Sequence, residues 1–112
     1  MNKKERRLRR KKGIRKKIYG TPSKLRITVY KSNRHLYVQA IDDIAGNTVG
    51  SLSDFATGVK CNLEGASKIG VKLADKLLEK KIKEGVFDRN GYVYHGLIKA
   101  VADGVRKGGI KV

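Results

Sequence analysis

Residues 25–31, "LRITVYK", alternate strictly, with Leu25, Ile27 and Val29 on one side and Arg26, Thr28 and Tyr30 on the other. A period of two is the pattern of a half-buried strand. After the polar turn "SNR", the run "HLYVQAI" repeats it, placing Leu36, Val38 and Ala40 inward and Tyr37, Gln39 and Ile41 outward. The two runs therefore predict an antiparallel hairpin. "DDIAGN" supplies the next turn, and "TVGSLS" a third, weaker strand with a bend at Gly50.

From Asn62 the period lengthens to that of a helix. Asn62 is a suitable N-cap and Glu64 lies in the first turn; Ala66, Ile69, Leu73, Leu77 and Leu78 form one stripe, and Lys68, Lys72, Asp75, Lys76, Glu79 and Lys83 the opposite face. Gly85 is expected to end this helix. "VFD" predicts a short strand, and a second helix starts near Gly96, buried through Leu97, Ile98, Val101, Ala102 and Val105. Gly108 and Gly109 stop it, and "IKV" is a candidate last strand. The expected fold is α/β: a mixed sheet in β-β-β-α-β-α order, with the first helix a crossover back into the sheet and both helices packed on one face. The other face would stay open and carry Arg26, Thr28, Tyr30, Tyr37 and Gln39. Such a face suits RNA, because bases stack on rings while cations hold phosphates; it is equally the composition of an ordinary wet strand face.

Charge weighs on that choice. The 112 residues carry 27 Lys and Arg against 10 Asp and Glu, a formal net charge of +17. Self-repulsion of that size points to a polyanionic partner, with nucleic acid the leading candidate. The excess is concentrated: residues 1–24 hold twelve basic side chains against the single acid Glu5. This segment divides from a globular domain over 25–112 as a basic N-terminal arm and linker. Leu8, Ile14 and Ile18 are too few for a packed helix face, so the arm is expected to become helical once an anion neutralises it. A membrane-binding helix would need a larger apolar face. No apolar run reaches the length of a membrane span, and the basic N-terminus lacks the apolar core of a signal peptide. The lone Cys61 has no disulfide partner and fits a small, part-buried hydrophobe in a reducing compartment.

Candidate chemistry is sparse. Asp42, Asp43, Asp54 and Asp88 are the carboxylates a metal-dependent nuclease would have to bring together. Yet Asp42 and Asp43 sit in a turn, where Asp is favoured for backbone hydrogen bonding alone. His35 and His95 lack a nucleophile signature, and no phosphate-cradling glycine motif is present. The stretch "FDRNGYVYHG" could pair Asp88 and His95 as acid and base. It reads better as a docking turn: Asp88 closes a strand with a local salt bridge to Arg89 or a turn hydrogen bond. Asn90 and Gly91 then reverse the chain, presenting Arg89, Tyr92, Tyr94 and His95 near a helix start that favours phosphate.

The basic "RRLRRKKGIRKKIYGT", the hairpin "LRITVYKSNRHLYVQAIDD" and "VFDRNGYVYHGLIKAVADGVRKGG" together resemble the universal 5S-rRNA-binding ribosomal protein family, numbered eighteen in the bacterial large subunit. The resemblance spans nearly the whole chain. It implies a translational-machinery domain of ribonuclease-H-like topology without catalytic carboxylates, metal or cofactor. It also implies a cytoplasmic, ribosomal role with 5S rRNA as main ligand, 23S rRNA as second, and neighbouring large-subunit proteins of the central protuberance as partners; no membrane or small-molecule substrate is implied. Carried over by position, RNA contacts fall to Arg6, Arg7, Arg9, Arg10, Lys11, Lys12, Arg15, Lys16 and Lys17 of the arm. The hairpin adds Tyr30, Ser32, Asn33, Arg34, His35 and Tyr37, and the late loop Arg89, Tyr92, Tyr94 and His95. Asn90 stands where the family commonly has Gly, and Leu97 where it often has Arg.

Overall fold

Both alternating runs form strands. In the computed structural model, which describes residues 2–15, 18, 20–32, 35–92 and 94–112, β1 (Lys24–Lys31) pairs antiparallel with β2 (Leu36–Asp42). Leu25, Ile27, Val29, Leu36, Val38 and Ala40 are all fully buried, so the alternation sorts the two faces as read. Tyr30 lies opposite Tyr37 and Thr28 opposite Gln39 on the other face. The third strand, β3 (Asn47–Ser53), joins β2 antiparallel; Ala40 faces Gly50 but Ile41 faces Thr48, which leaves Val49 as the extra residue of a bulge.

Ser53 then caps a one-turn helix, α2 (Asp54–Thr57), by accepting the Ala56 N–H at 3.0 Å. The long helix α3 (Leu63–Glu79) begins where expected, with the Asn62 carboxamide accepting the Gly65 N–H at 2.8 Å. Its end differs from expectation. Gly85 does not stop α3; it lies in β4 (Glu84–Asp88). The helix is closed by hydrogen bonds from the Ile82 N–H to the Leu77 carbonyl and from the Lys81 N–H to the Leu78 carbonyl, both 2.9 Å. Lys81 takes the left-handed position of that motif at φ 62°, the place usually held by glycine. Leu78, expected on the buried stripe, is 37% exposed because it falls on the solvent side of this closing turn.

The crossover through α3 brings β4 parallel to β1, giving a four-stranded mixed sheet in the order β3-β2-β1-β4. The last helix, α4 (Leu97–Lys107), packs against α3, and both contribute to a single core on one sheet face through Ala66, Ile69, Leu73, Leu77, Ile98, Val101 and Val105. Their close crossing depends on small residues. A Cβ at Gly70 would run into the Val101 carbonyl, and one at Gly104 into the Ser67 carbonyl. "IKV" adds only an isolated bridge from Lys111 to Glu84, with Ile110 in the core. The arm is an additional helix, α1 (Lys3–Arg15). The Asn2 side chain caps it by accepting the Glu5 N–H at 2.8 Å, while its amide reaches the Glu5 carboxylate at 3.3 Å.

Candidate nucleic-acid interface

With only Leu8, Ile14 and scattered stems to bury, α1 has no apolar face to anchor it, and polar contacts hold it instead. The Arg7 guanidinium donates to the Asn90 carbonyl at 3.3 Å and Arg10 to the Gly91 carbonyl at 2.8 Å. Arg7 also stacks 4.3 Å from the Tyr92 ring centroid and 5.9 Å from that of Tyr30. Gly91, at φ 76°, lets the turn approach so closely that a Cβ there would meet the Arg7 carbonyl. Asn90 precedes it at φ 54°, a conformation asparagine tolerates better than most residues. The Tyr92 hydroxyl ties the turn to β1, donating to the Lys31 carbonyl at 2.9 Å and accepting its N–H at 3.2 Å.

Beneath this turn lies a network with no counterpart in the sequence reading. Arg26, on the open sheet face, donates to Asp43 through Nε at 3.0 Å and through a terminal nitrogen at 3.3 Å, and to Asp88 at 2.7 Å. The Asp88 side chain is fully buried, while those of Arg26 and Asp43 are 12% and 10% exposed. Burial by itself works against the guanidinium charge, but hydrogen bonds and attraction from Asp43 and Asp88 outweigh it and hold the Arg26 pKa above its ordinary value. Each carboxylate also accepts a backbone donor: Asp43 from Gly20 at 2.7 Å, Asp88 from Asn90 at 2.8 Å. The partner of Asp88 is thus Arg26, across the sheet, rather than its neighbour Arg89; the expected turn hydrogen bond is present. Asp43 and Asp88 do converge, but on a guanidinium where a nuclease would place a metal ion.

The other carboxylates are equally committed. Asp42 accepts the Ile44 and Ala45 N–H groups at 3.0 and 3.2 Å, closing its own turn. Asp54 accepts the Leu36 N–H at 3.0 Å and lies 3.4 Å from His35 Nδ1. Burial alone would raise its pKa, yet the Leu36 and Phe55 N–H groups and His35 bring it below the ordinary value. Among the described residues no three His, Cys, Asp or Glu side chains are placed to hold a metal ion.

The remaining site candidates fall around α1. On one flank Lys3, Arg6, Arg7, Arg10, Lys31, Tyr92 and His95 line a groove. On the other, Lys11 faces the open sheet with Tyr30 and Tyr37. Arg9 and Lys12 are exposed, and Arg15 ends the helix. Ser32 and His35 clamp the hairpin turn through the Ser32 N–H to the His35 carbonyl at 2.9 Å and the His35 N–H to Ser32 Oγ at 3.1 Å. Arg89 is half-buried. Tyr94 stands apart: its ring meets Phe87 edge-on and its hydroxyl accepts from Arg106 at 2.8 Å. Lys16, Lys17, Asn33 and Arg34 lie outside the described residues. Sequence reasoning placed Gln39 on this face, missed Asp43 and Asn90 as parts of the surface, and took Arg26 as a cation open to solvent. It also missed α2, which leaves Phe55 81% exposed beside His35.

Comparison with known proteins bears on what this basic, aromatic surface is for. Residues 1–112 match the family described as "Ribosomal L18 of archaea, bacteria, mitoch. and chloroplast". A large ribosomal subunit protein uL18 of Campylobacter lari is 52% identical over 106 residues, covering 95% of this chain and 90% of the relative. Proteins of the same name from Treponema denticola and Thermotoga petrophila are 47% and 45% identical, each over 98% of this chain and 94% and 95% of the relative. With the match running the whole length, the chain belongs to the ribosomal L18 family, whose members are structural ribosomal proteins and not enzymes.

Proposed function

We propose that this chain is a constituent of the large ribosomal subunit that binds 5S rRNA and helps attach it to 23S rRNA in the central protuberance of a cytoplasmic ribosome, beside neighbouring ribosomal proteins. In this reading residues 1–24 act as a basic arm and 25–112 as the RNA-binding domain, with the ribonuclease-H-like topology of translational proteins. The observation that carries it is the docking of α1 by Arg7 and Arg10 onto the Asn90–Gly91 turn. It joins the cations of the arm, Lys31 and His95 into one surface with Tyr30 and Tyr37. Arg6, Arg9, Lys11, Lys12, Arg15, Lys16 and Lys17 supply phosphate contacts. Ser32, Asn33, Arg34 and His35 of the segment joining β1 to β2, and Arg89, Tyr92 and Tyr94 of the late loop, add further RNA contacts. Arg7 and Tyr92 have a second role, since their mutual stacking shapes the surface.

Competition between 5S rRNA and an unrelated RNA of equal length tests the reading. The expected result is selective retention of 5S rRNA, with log affinity falling against log salt by several units, up to about 0.9 for each phosphate neutralised. Deleting residues 1–17 should flatten that slope. Equal competition by both RNAs would refute 5S recognition, and an unchanged slope would refute the arm's electrostatic role.

A further inference from the structure

Between α1 and the open sheet face lies a cleft of about 540 Å³, within the size range of small-ligand sites. Thr28 and Gln39, cross-strand partners, form its floor. Tyr30 and Tyr37 stand over one side, with ring centroids 6.3 Å apart and planes at 51°. Val29 and Ile41, Lys11 of α1 and Asn90 of the turn add to the lining. Arg26 also reaches this cleft, but its single charge is opposed by the two carboxylates of Asp43 and Asp88, leaving that cluster with one net negative charge. The lining mixes polar and apolar groups, and Lys11 at its edge supplies the cation that brings the formal charge around the cleft to neutral.

The groove on the far flank of α1 differs in kind. Lys3, Arg6, Arg7, Arg10 and Lys31 line it and no carboxylate does, so it suits phosphates. The cleft suits a flat, uncharged group that hydrogen-bonds at its edge and carries a phosphate beside it. An unstacked nucleobase has that chemistry.

We propose, resting on the RNA-binding reading above, that this cleft takes one unstacked nucleobase of the bound RNA. The base stacks on Tyr37, the Gln39 carboxamide supplies both a donor and an acceptor to its edge, and Lys11 meets the adjoining phosphate. Tyr37 is the platform rather than Tyr30 because Arg7 already lies 5.9 Å from the Tyr30 ring centroid.

The test measures 5S rRNA affinity across a salt series for wild type, Tyr37→Ala, Tyr37→Phe, Gln39→Ala and Lys11→Ala, with Tm recorded for each. Loss of a stacking ring should weaken binding about 5- to 150-fold, and Tyr37→Phe should restore it. The salt slope should stay unchanged in both Tyr37 variants and in Gln39→Ala, but fall by about one unit in Lys11→Ala. Wild-type affinity in a folded Tyr37→Ala protein overturns the proposal. Should wild type fail to prefer 5S rRNA, the reading of function falls by itself. The same Tyr37→Ala comparison on a mixed-sequence single-stranded RNA then decides the cleft: lost affinity supports it and retained affinity overturns it.

Discussion

Replacing Arg26 with methionine removes the cation from between two carboxylates while keeping an unbranched stem of similar length. Asp88 has no exposed side-chain surface and Asp43 very little, so neither charge can be rehydrated without opening the sheet edge. Breaking a buried ion pair in this way costs about 3–5 kcal/mol. The retained N–H donors from Gly20 and Asn90 argue for the lower end, about 3 kcal/mol. For 112 residues the unfolding entropy is about 0.24 kcal/mol/K, so Tm should fall by about 12 °C. Thermal unfolding followed by circular dichroism at pH 7 reads this directly. Asp88→Asn keeps an acceptor toward Arg26 and should cost less. In the double variant Arg26→Met with Asp88→Asn, the buried carboxylate is gone, so the two losses should be less than additive by at least about 1 kcal/mol. A fall in Tm under about 4 °C for Arg26→Met, or strict additivity, would refute the account of Arg26 as the counter-charge of this turn.

Other perturbations separate the arm from the body. Gly91→Ala should push α1 off the turn, because the new Cβ meets the Arg7 carbonyl and the residue sits at positive φ; trypsin should then cut within residues 3–15 faster, and an unchanged cleavage rate would count against the docking. Lys81→Gly should stabilise by up to about 1 kcal/mol in urea unfolding by relieving the left-handed lysine that closes α3; a destabilised protein would contradict that closure. The lowered pKa of Asp54 means its contribution is present above the ordinary carboxylate value near about 4 and is lost as pH falls through the lower folded value. Tm of Asp54→Asn should accordingly be lower than wild type at neutral pH and converge with it in acid, and parallel Tm curves would exclude the linkage.

How much was readable depends on the range of the signal. Leu25 to Val29 and Leu36 to Ala40 encode their faces within a few residues, and so does the α3 stripe from Ala66 to Leu77; periodicity finds them. The α3 terminus was misread because Gly85 looks like a stop, whereas the chain uses Lys81 in a left-handed turn that lysine rarely adopts. One-turn α2 is too short to show a period. The Arg26–Asp43–Asp88 network spans 62 residues of sequence between Arg26 and Asp88, and no local pattern distinguishes its members from a surface arginine and two turn aspartates. The same holds for the arm. Its composition announced a polyanion partner, but its seat against Asn90 and Gly91 comes from backbone carbonyls, which every sequence has.

The parallel pairing of β1 with β4 has a consequence for the order of assembly. The β1–β2–β3 meander closes through short turns, whereas Lys24 meets Glu84 only after the whole of α3 has been laid down. Long loop closure is the slower event. The turn at 89–92 extends directly from β4, and α1 leans on that turn, so these two parts of the proposed RNA surface settle last, after Tyr30 and Tyr37 of the hairpin are in place. Pulse-labelled amide exchange should find β1 and β2 protected before β4, and simultaneous protection would contradict this sequence of events. A chain caught early would then have the strand side of its core but neither α4 nor the seat of α1, so the proposed binding face would be complete only when folding is.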